Sequence, residues 1–222
     1  MWFVTTEQTA GRGRRDRPWI APRGNLASSV LEIVDVAPAT AATLGFAAGL
    51  ALAASLGVVA GSARSEFLLK WPNDVLVGQA KLAGILLEAE TMPGGSLAVA
   101  VGMGTNVVAA PEGMPIPATS LVALDLKATA EQLFSALSDS WTEYREIWDN
   151  GKGFGEIRRR WLALAAGLGH PVAVHRGNAT VSGIFDTIDD TGCMIVRTTT
   201  GDRVPISAGD VHFGAAATAR AG

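Results

Sequence analysis

Soft metal ligands are nearly missing: the chain has one cysteine, Cys193, and three histidines, His170, His175 and His212, at spacings that match no metal motif. No intrachain disulfide can form, and a cysteine-built zinc site is excluded. Strong charge of either sign is also missing. A net charge of −3 over 222 residues gives no global pull toward nucleic acid or an anionic membrane. Residues 1–8 run straight into arginines with no cleavage site, so nothing reads as a signal peptide, and the expected compartment is the cytoplasm. The sequence has no Walker A lysine motif, no GxSxG elbow and no zinc motif, and no internal repeat is visible.

Charge is absent altogether between Asp35 and Arg64. That stretch is long enough to raise a membrane span. It is mostly Ala, Gly and Thr, which contribute little to insertion, and it lacks basic or aromatic flanks. Ala41, Gly45, Gly49, Ala53 and Gly57 form an i,i+4 stripe of small residues. The reading is a buried helix whose stripe lets its backbone approach a sheet, and no membrane partner is expected.

With 48% hydrophobic and 18% charged residues, the chain has the composition of a compact globular protein. Residues 2–7 and 25–34 read as strands, joined by a Gly- and Arg-rich loop at 9–24. Pro38 opens a helix that Gly57 is expected to stop. Residues 67–71 form a strand cut off by Pro72, residues 75–77 and 81–89 a hairpin across Gly78-Gln79, and 97–101 a further strand. Thr129 and Gln132 look like a capping box for a helix reaching Trp148. Its stripe of Leu133, Leu137, Trp141, Tyr144 and Trp148 is core. A short helix spans 155–165. Beyond Gly167 and Gly169, five short strands at 171–176, 179–188, 194–199, 203–206 and 211–213 indicate a small β-barrel or sandwich. The expected fold class is therefore α+β: a mixed sheet with helices over residues 1–166, a small all-β domain over 167–214, and a loose tail at 215–222.

Three constellations carry chemistry. In Gly11-Arg12-Gly13-Arg14-Arg15 the glycines open backbone conformations, and the arginines bring forked donors that match carboxylate and phosphate. Taken alone, a solvated basic turn explains the loop as well. Lys70-Trp71-Pro72-Asn73-Asp74 is followed by Lys81-Leu82-Ala83-Gly84-Ile85. A lysine opening an apolar strand needs an anion, because burying it unpaired is costly. Asp74 is a turn residue, or a partner for a lysine or magnesium. Gly84 in mid-strand marks the close approach of a ligand. Gly102-Met103-Gly104-Thr105-Asn106 ends an apolar strand, where a plain turn is the simplest reading. It is no dinucleotide fingerprint, since Val107 holds the third glycine position.

In this order, GRGRR, KWPND, KLAGIL and VGMGTN resemble the biotin–protein ligases, over residues 5–166 and with a C-terminal piece like that family's SH3-like domain. The resemblance implies ATP-dependent formation of biotinyl-5′-AMP with Mg²⁺, then transfer to a lysine of the biotin carboxyl carrier domain of acetyl-CoA carboxylase or a related carboxylase. It implies biotin contacts from Gln8, Gly11, Arg12, Gly13, Arg14, Lys81, Gly84 and Gly102. The adenylate or ATP would meet Arg14, Arg17, Trp19, Asn73, Asp74, Gly104 and Asn106. Lys81 and Arg14 would carry the chemistry, with no protein-held metal. The Gly13 to Arg17 segment would close over the adenylate.

The family carries an upstream Ser-Thr-Asn segment that contacts biotin. The sequence starts at Met1, so the expectation is that this segment and a DNA-binding domain are absent and that no nucleic acid is bound. A homodimer stays open, as do two alternatives: a lipoate–protein ligase-type adenylating enzyme, and a catalytically impaired biotin-binding or scaffold protein.

Overall fold

The computed structural model describes residues 1–61, 66–113, 117–176 and 179–213. The tail at 215–222 and the Gly177-Asn178 turn lie outside the described residues. Among the described residues four α-helices and eleven strands follow the expected order, with one expected helix split into α1 and α2: β1 (Trp2–Thr5), β2 (Leu26–Val34), α1 (Pro38–Ala42), α2 (Leu44–Ala60), β3 (Phe67–Lys70), β4 (Asp74–Val77), β5 (Ala80–Thr91), β6 (Leu97–Thr105), α3 (Ala130–Trp148), α4 (Phe154–Ala163), β7 (Pro171–Arg176), β8 (Ala179–Ile188), β9 (Met194–Arg197), β10 (Arg203–Ile206) and β11 (Asp210–Phe213).

The larger sheet has the order β1-β2-β6-β5-β4-β3. Its strand pairings are antiparallel throughout, and the parallel component is limited to two isolated bridges, Leu69 with Ala165 and Lys81 with Ala118. The smaller sheet runs β10-β9-β8-β7-β11, also antiparallel, and no pairing joins β10 to β11 among the described residues.

The charge-free stretch is a core helix. Residues 38–60 are apolar enough to cross a membrane, yet the most apolar window is 67% buried against the rest of the protein. A Cβ on Gly49 would stand 3.5 Å from Leu69 of β3 and 3.4 Å from Trp161 of α4; one on Gly45 would stand 3.5 Å from Leu87 of β5. Gly57 does not stop the helix. It continues to Ala60 and is capped by Gly61, whose φ of +57° suits glycine. Thr43 breaks α1 from α2, and its hydroxyl accepts the indole N–H of the buried Trp148 at 2.7 Å. The capping box at Thr129 and Gln132 forms both of its bonds, and Leu133, Leu137, Trp141 and Trp148 are buried.

The second correction concerns β6. It runs to Thr105, so Gly102 and Gly104 lie inside a strand and not in a turn. Gly104 is paired with Ala27 on one side and Gly84 on the other, and backbone pairing on both flanks outweighs glycine's weak strand preference.

Candidate active site

Register places one row of residues across the whole sheet: Thr5, Ala27, Gly104, Gly84, Asp74 and Lys70. Directly paired residues share a face. This face is opposite the one covered by α2, because Leu69 and Leu87 are an odd number of positions from Lys70 and Gly84. Three small residues in the middle of the row leave a trough, and Asp74 and Lys70 end it in charge.

The Gly/Arg loop covers the trough. It folds back on itself: Trp19 N–H donates to Gly11 O (2.9 Å) and Gly13 N–H to Arg17 O (2.8 Å). A side chain at Gly11 would collide with the Trp19 carbonyl and with Gln8, so the loop needs glycine there. The Trp19 indole lies on the trough floor, 2.7 Å from where a Cβ on Gly104 would stand and 3.3 Å from one on Gly84. Its buried N–H has no hydrogen-bond partner among the described residues. Lys81 Nζ sits beside it, 5.4 Å from the ring centroid and 3.1 Å from a Cβ placed on Gly84. Gly102 is one step along the same face, near Ser29 Oγ and Leu86.

Lys81 meets an anion, Asp74 Oδ1, at 2.6 Å, at an angle too oblique for a hydrogen bond. Among the described residues Arg14 has a neutral hydrogen-bond partner: its Nη1 donates to Asn73 Oδ1 at 3.2 Å, while Asn73 Nδ2 donates to Ile85 O at 2.7 Å. Burial, then the charge of Arg15, pushes the Arg14 guanidinium below its ordinary value. Arg12 lies outside this group, paired with Glu88 at 2.9 Å on the exposed side of the loop. Asn106 frames the trough, with Nδ2 donating to Thr119 O (3.1 Å) and Oδ1 accepting from Asn25 (3.4 Å).

Two residues outside the motif set, and one within it, matter here. Asn25 Oδ1 accepts three backbone N–H bonds, from Val107, Val108 and Ala109 at 2.9–3.2 Å, and so fixes the turn after β6. A buried Asn after a glycine was the available signal. Asp210 reaches over from β11 and holds Arg15 (2.7 Å) and Arg17 (2.6 Å) on one oxygen. Burial opposes its ionisation, but the Arg17 hydrogen bond and the charges of Arg17, Arg15 and Arg14 hold its carboxyl below the usual range. No local pattern marks Asp210, because its partners are almost the whole chain away. The third is Lys70, only 8% exposed at the charged end of the row.

Residues 2–106 match the Biotin/lipoate A/B protein ligase family, and residues 167–214 match the Biotin protein ligase C terminal domain. The biotin–[acetyl-CoA-carboxylase] ligase of Paracoccus denitrificans is 38% identical over 96% of this chain and 90% of its own length. The chain belongs to the biotin–protein ligase family. The biotin–[acetyl-CoA-carboxylase] ligase of Mycobacterium tuberculosis is 37% identical over 94% of this chain and 77% of its own. In fold, this ligase superposes on the biotin protein ligase of Aquifex aeolicus in complex with biotin and ATP, with a TM-score of 0.78 at 24% identity, covering 96% of this chain and 89% of that one. The Leishmania major biotin protein ligase in complex with biotinyl-5-AMP gives 0.63 at 24%, covering 93% and 88%.

Proposed function

We propose that this chain activates biotin with ATP and transfers it to a lysine of a carboxylase's biotin carboxyl carrier domain. In the first step a biotin carboxylate oxygen attacks the α-phosphorus, the bond to the bridging oxygen breaks, and diphosphate leaves with the electron pair. In the second, the acceptor lysine's amine attacks the activated carbonyl carbon, AMP leaves, and the amine loses a proton. The C-terminal match to a biotin ligase domain favours biotin over lipoate. ATP as co-substrate fits a cytoplasmic enzyme, and the two family matches fit a catalytic unit over 1–166 with a small domain over 167–214.

The observation that carries this reading is the gathering of cations at one end of a glycine-floored trough. Lys81 contacts Asp74 at 2.6 Å, and Arg14, bonded to the neighbouring Asn73, feels the charges of Asp210 and Asp74 without an ion pair to either among the described residues. Bringing a carboxylate to a phosphate joins two anions, so fixed cations in a desolvated site are the main requirement. Lys81 takes the biotin carboxylate and the developing charge on the α-phosphate. Gln8, Gly11, Gly13, Arg14, Gly84 and Gly102 shape the biotin end, and Arg12 would have to leave Glu88 to join them. Arg14, Arg17, Trp19, Asn73, Asp74, Gly104 and Asn106 border the adenylate.

The loop then shields the mixed anhydride from water. For the ligand to lie against Gly84 and Gly104, the Trp19 indole must move aside and become a wall. Among the described residues no cluster of three His, Cys, Asp or Glu could cage a metal ion. Magnesium, which the resemblance implies, would enter with ATP and be held by its phosphates.

The test is incubation with labelled biotin, Mg·ATP and a carrier domain. Label on the carrier lysine that requires ATP is the expected result. Lys81→Ala should lower diphosphate release by about 10³-fold, in line with loss of a preorganised cation at developing charge. Turnover by Lys81→Ala at the wild-type rate would remove that residue from the mechanism.

A further inference from the structure

Lys70 lies at the end of the sheet row, next to Asp74 and two strands from Gly84. It is 8% exposed, yet no hydrogen bond or ion pair reaches it among the described residues. Asp74, the nearest candidate counter-ion, is held by Lys81 at 2.6 Å. The other contact of its ammonium is the face of Phe213, 5.4 Å from the ring centroid, on the smaller domain. Burial, outweighing the pull of Asp74, pushes the ammonium below its ordinary value, and Lys81 adds to the effect.

A largely buried lysine with no anion in contact with its ammonium is costly, and an anionic ligand reaching the part of the head still open to solvent would complete it. Snorkelling along the strand would carry the head into open water, whereas this one stays near the Phe213 ring with little access to solvent. Lys70 also stands in a wider arrangement. Lys81 lies over Gly84; Lys70 is farther along the row; beyond it Asp210 gathers Arg15 and Arg17. Five cations, Arg14, Arg15, Arg17, Lys70 and Lys81, share two carboxylates, Asp74 and Asp210. The excess positive charge lies past Lys81, on the side away from the glycine floor.

We infer that Lys70 is a further catalytic residue that contacts the diphosphate portion of ATP and stabilises it as it leaves. The inference rests on the adenylation reading above. The carboxylate oxygen forms the new bond to the α-phosphorus, the bond from that phosphorus to the bridging oxygen breaks, and the electron pair stays on the departing diphosphate. That is where charge grows, and Lys70 supplies a desolvated ammonium for it, while Lys81 serves the attacking side.

The test uses the whole chain and the near-isosteric Lys70→Met. Removing an unpaired buried charge should raise the melting temperature, so a loss of activity would not be a loss of fold. Adenylate formation from biotin and ATP should fall about 30-fold and the Kd for inorganic diphosphate should rise about 10-fold, the size expected for one charge-assisted contact. Transfer from preformed biotinyl-5′-AMP to the carrier should be unchanged, and Lys70→Arg should recover part of the rate. Adenylate formation by Lys70→Met at the wild-type rate overturns the assignment. So does an equal loss in transfer from preformed adenylate, which would move Lys70 to the α-phosphate. If wild-type protein makes no adenylate, the ligase reading itself fails, and the assignment falls with it.

Discussion

On the helix-covered face of the larger sheet, Leu69 and Leu87 reach across to Gly49 and Gly45 of α2, each 3.5 Å from where a Cβ would stand. On the other face of the same strands, Gly84 and Gly104 lie under the Trp19 indole, with 3.3 and 2.7 Å left for a Cβ. Glycine serves close contact in both places, to opposite ends. In the helix it admits large side chains of the sheet and closes a dry core. In the sheet it removes side chains from a trough whose cover is a loop, not an element fixed by a ladder of hydrogen bonds. The first arrangement is permanent packing. The second is a space that a ligand can claim once the indole moves.

Substitution on each face should separate these roles. The largest effect is expected from Gly104→Val, whose side chain fills the trough floor and displaces Trp19. Biotin binding, read by calorimetry, should weaken more than about 100-fold, while the chain stays folded by circular dichroism. Retained binding would show that the trough is not the ligand's seat. Leu69→Ala on the opposite face should cost about 2–5 kcal/mol in urea unfolding, with adenylate formation per folded molecule unchanged. A comparable loss of chemistry would erase the distinction between the faces.

Arg14→Gly removes a loop cation but no core contact. It should leave adenylate synthesis running and release the intermediate into solution about 10-fold faster, measured by trapping free biotinyl-5′-AMP. Retention at the wild-type level would count against a lid. The smallest effect is expected at Asp210, on the loop's outer edge. Its carboxyl is held low, so the clasp on Arg15 and Arg17 is complete above the unfolded carboxyl value of about 4 and is lost as pH falls through the lower folded one. Trypsin at neutral pH should cut the loop of Asp210→Asn somewhat faster than that of wild type, because partly exposed ion pairs contribute at most about 1 kcal/mol.

How far the sequence reached depended on the range of the interaction. The capping box at Thr129 and Gln132 and the aromatic stripe of α3 were legible because their partners are three or four residues away. The Gly78 hairpin was legible for the same reason. The motifs also told which residues to examine: the cost of an unpaired lysine called for an anion, a lysine partner was one of the open readings of Asp74, and Lys81 lies 2.6 Å from it. The end of α2 was misread because Gly57 is a tolerated interior glycine, while the left-handed cap falls on Gly61. Gly102 and Gly104 looked like a turn because glycine signals one locally; two flanking strands overrode that signal.

The chain's own pattern therefore determined the elements, the buried fate of the charge-free helix, and the residue types that can hold a carboxylate and a phosphate. Tertiary structure alone decided which of those residues share a face. The row from Ala27 through Gly104 and Gly84 to Asp74 and Lys70 depends on strand register. The seat of Trp19 and the reach of Asp210 depend on how a loop and a second domain close over that row. The physical reason is that charge and burial act through space: Lys70 is an ordinary strand-end lysine in the sequence, and only the fold buries most of it with no anion in contact among the described residues.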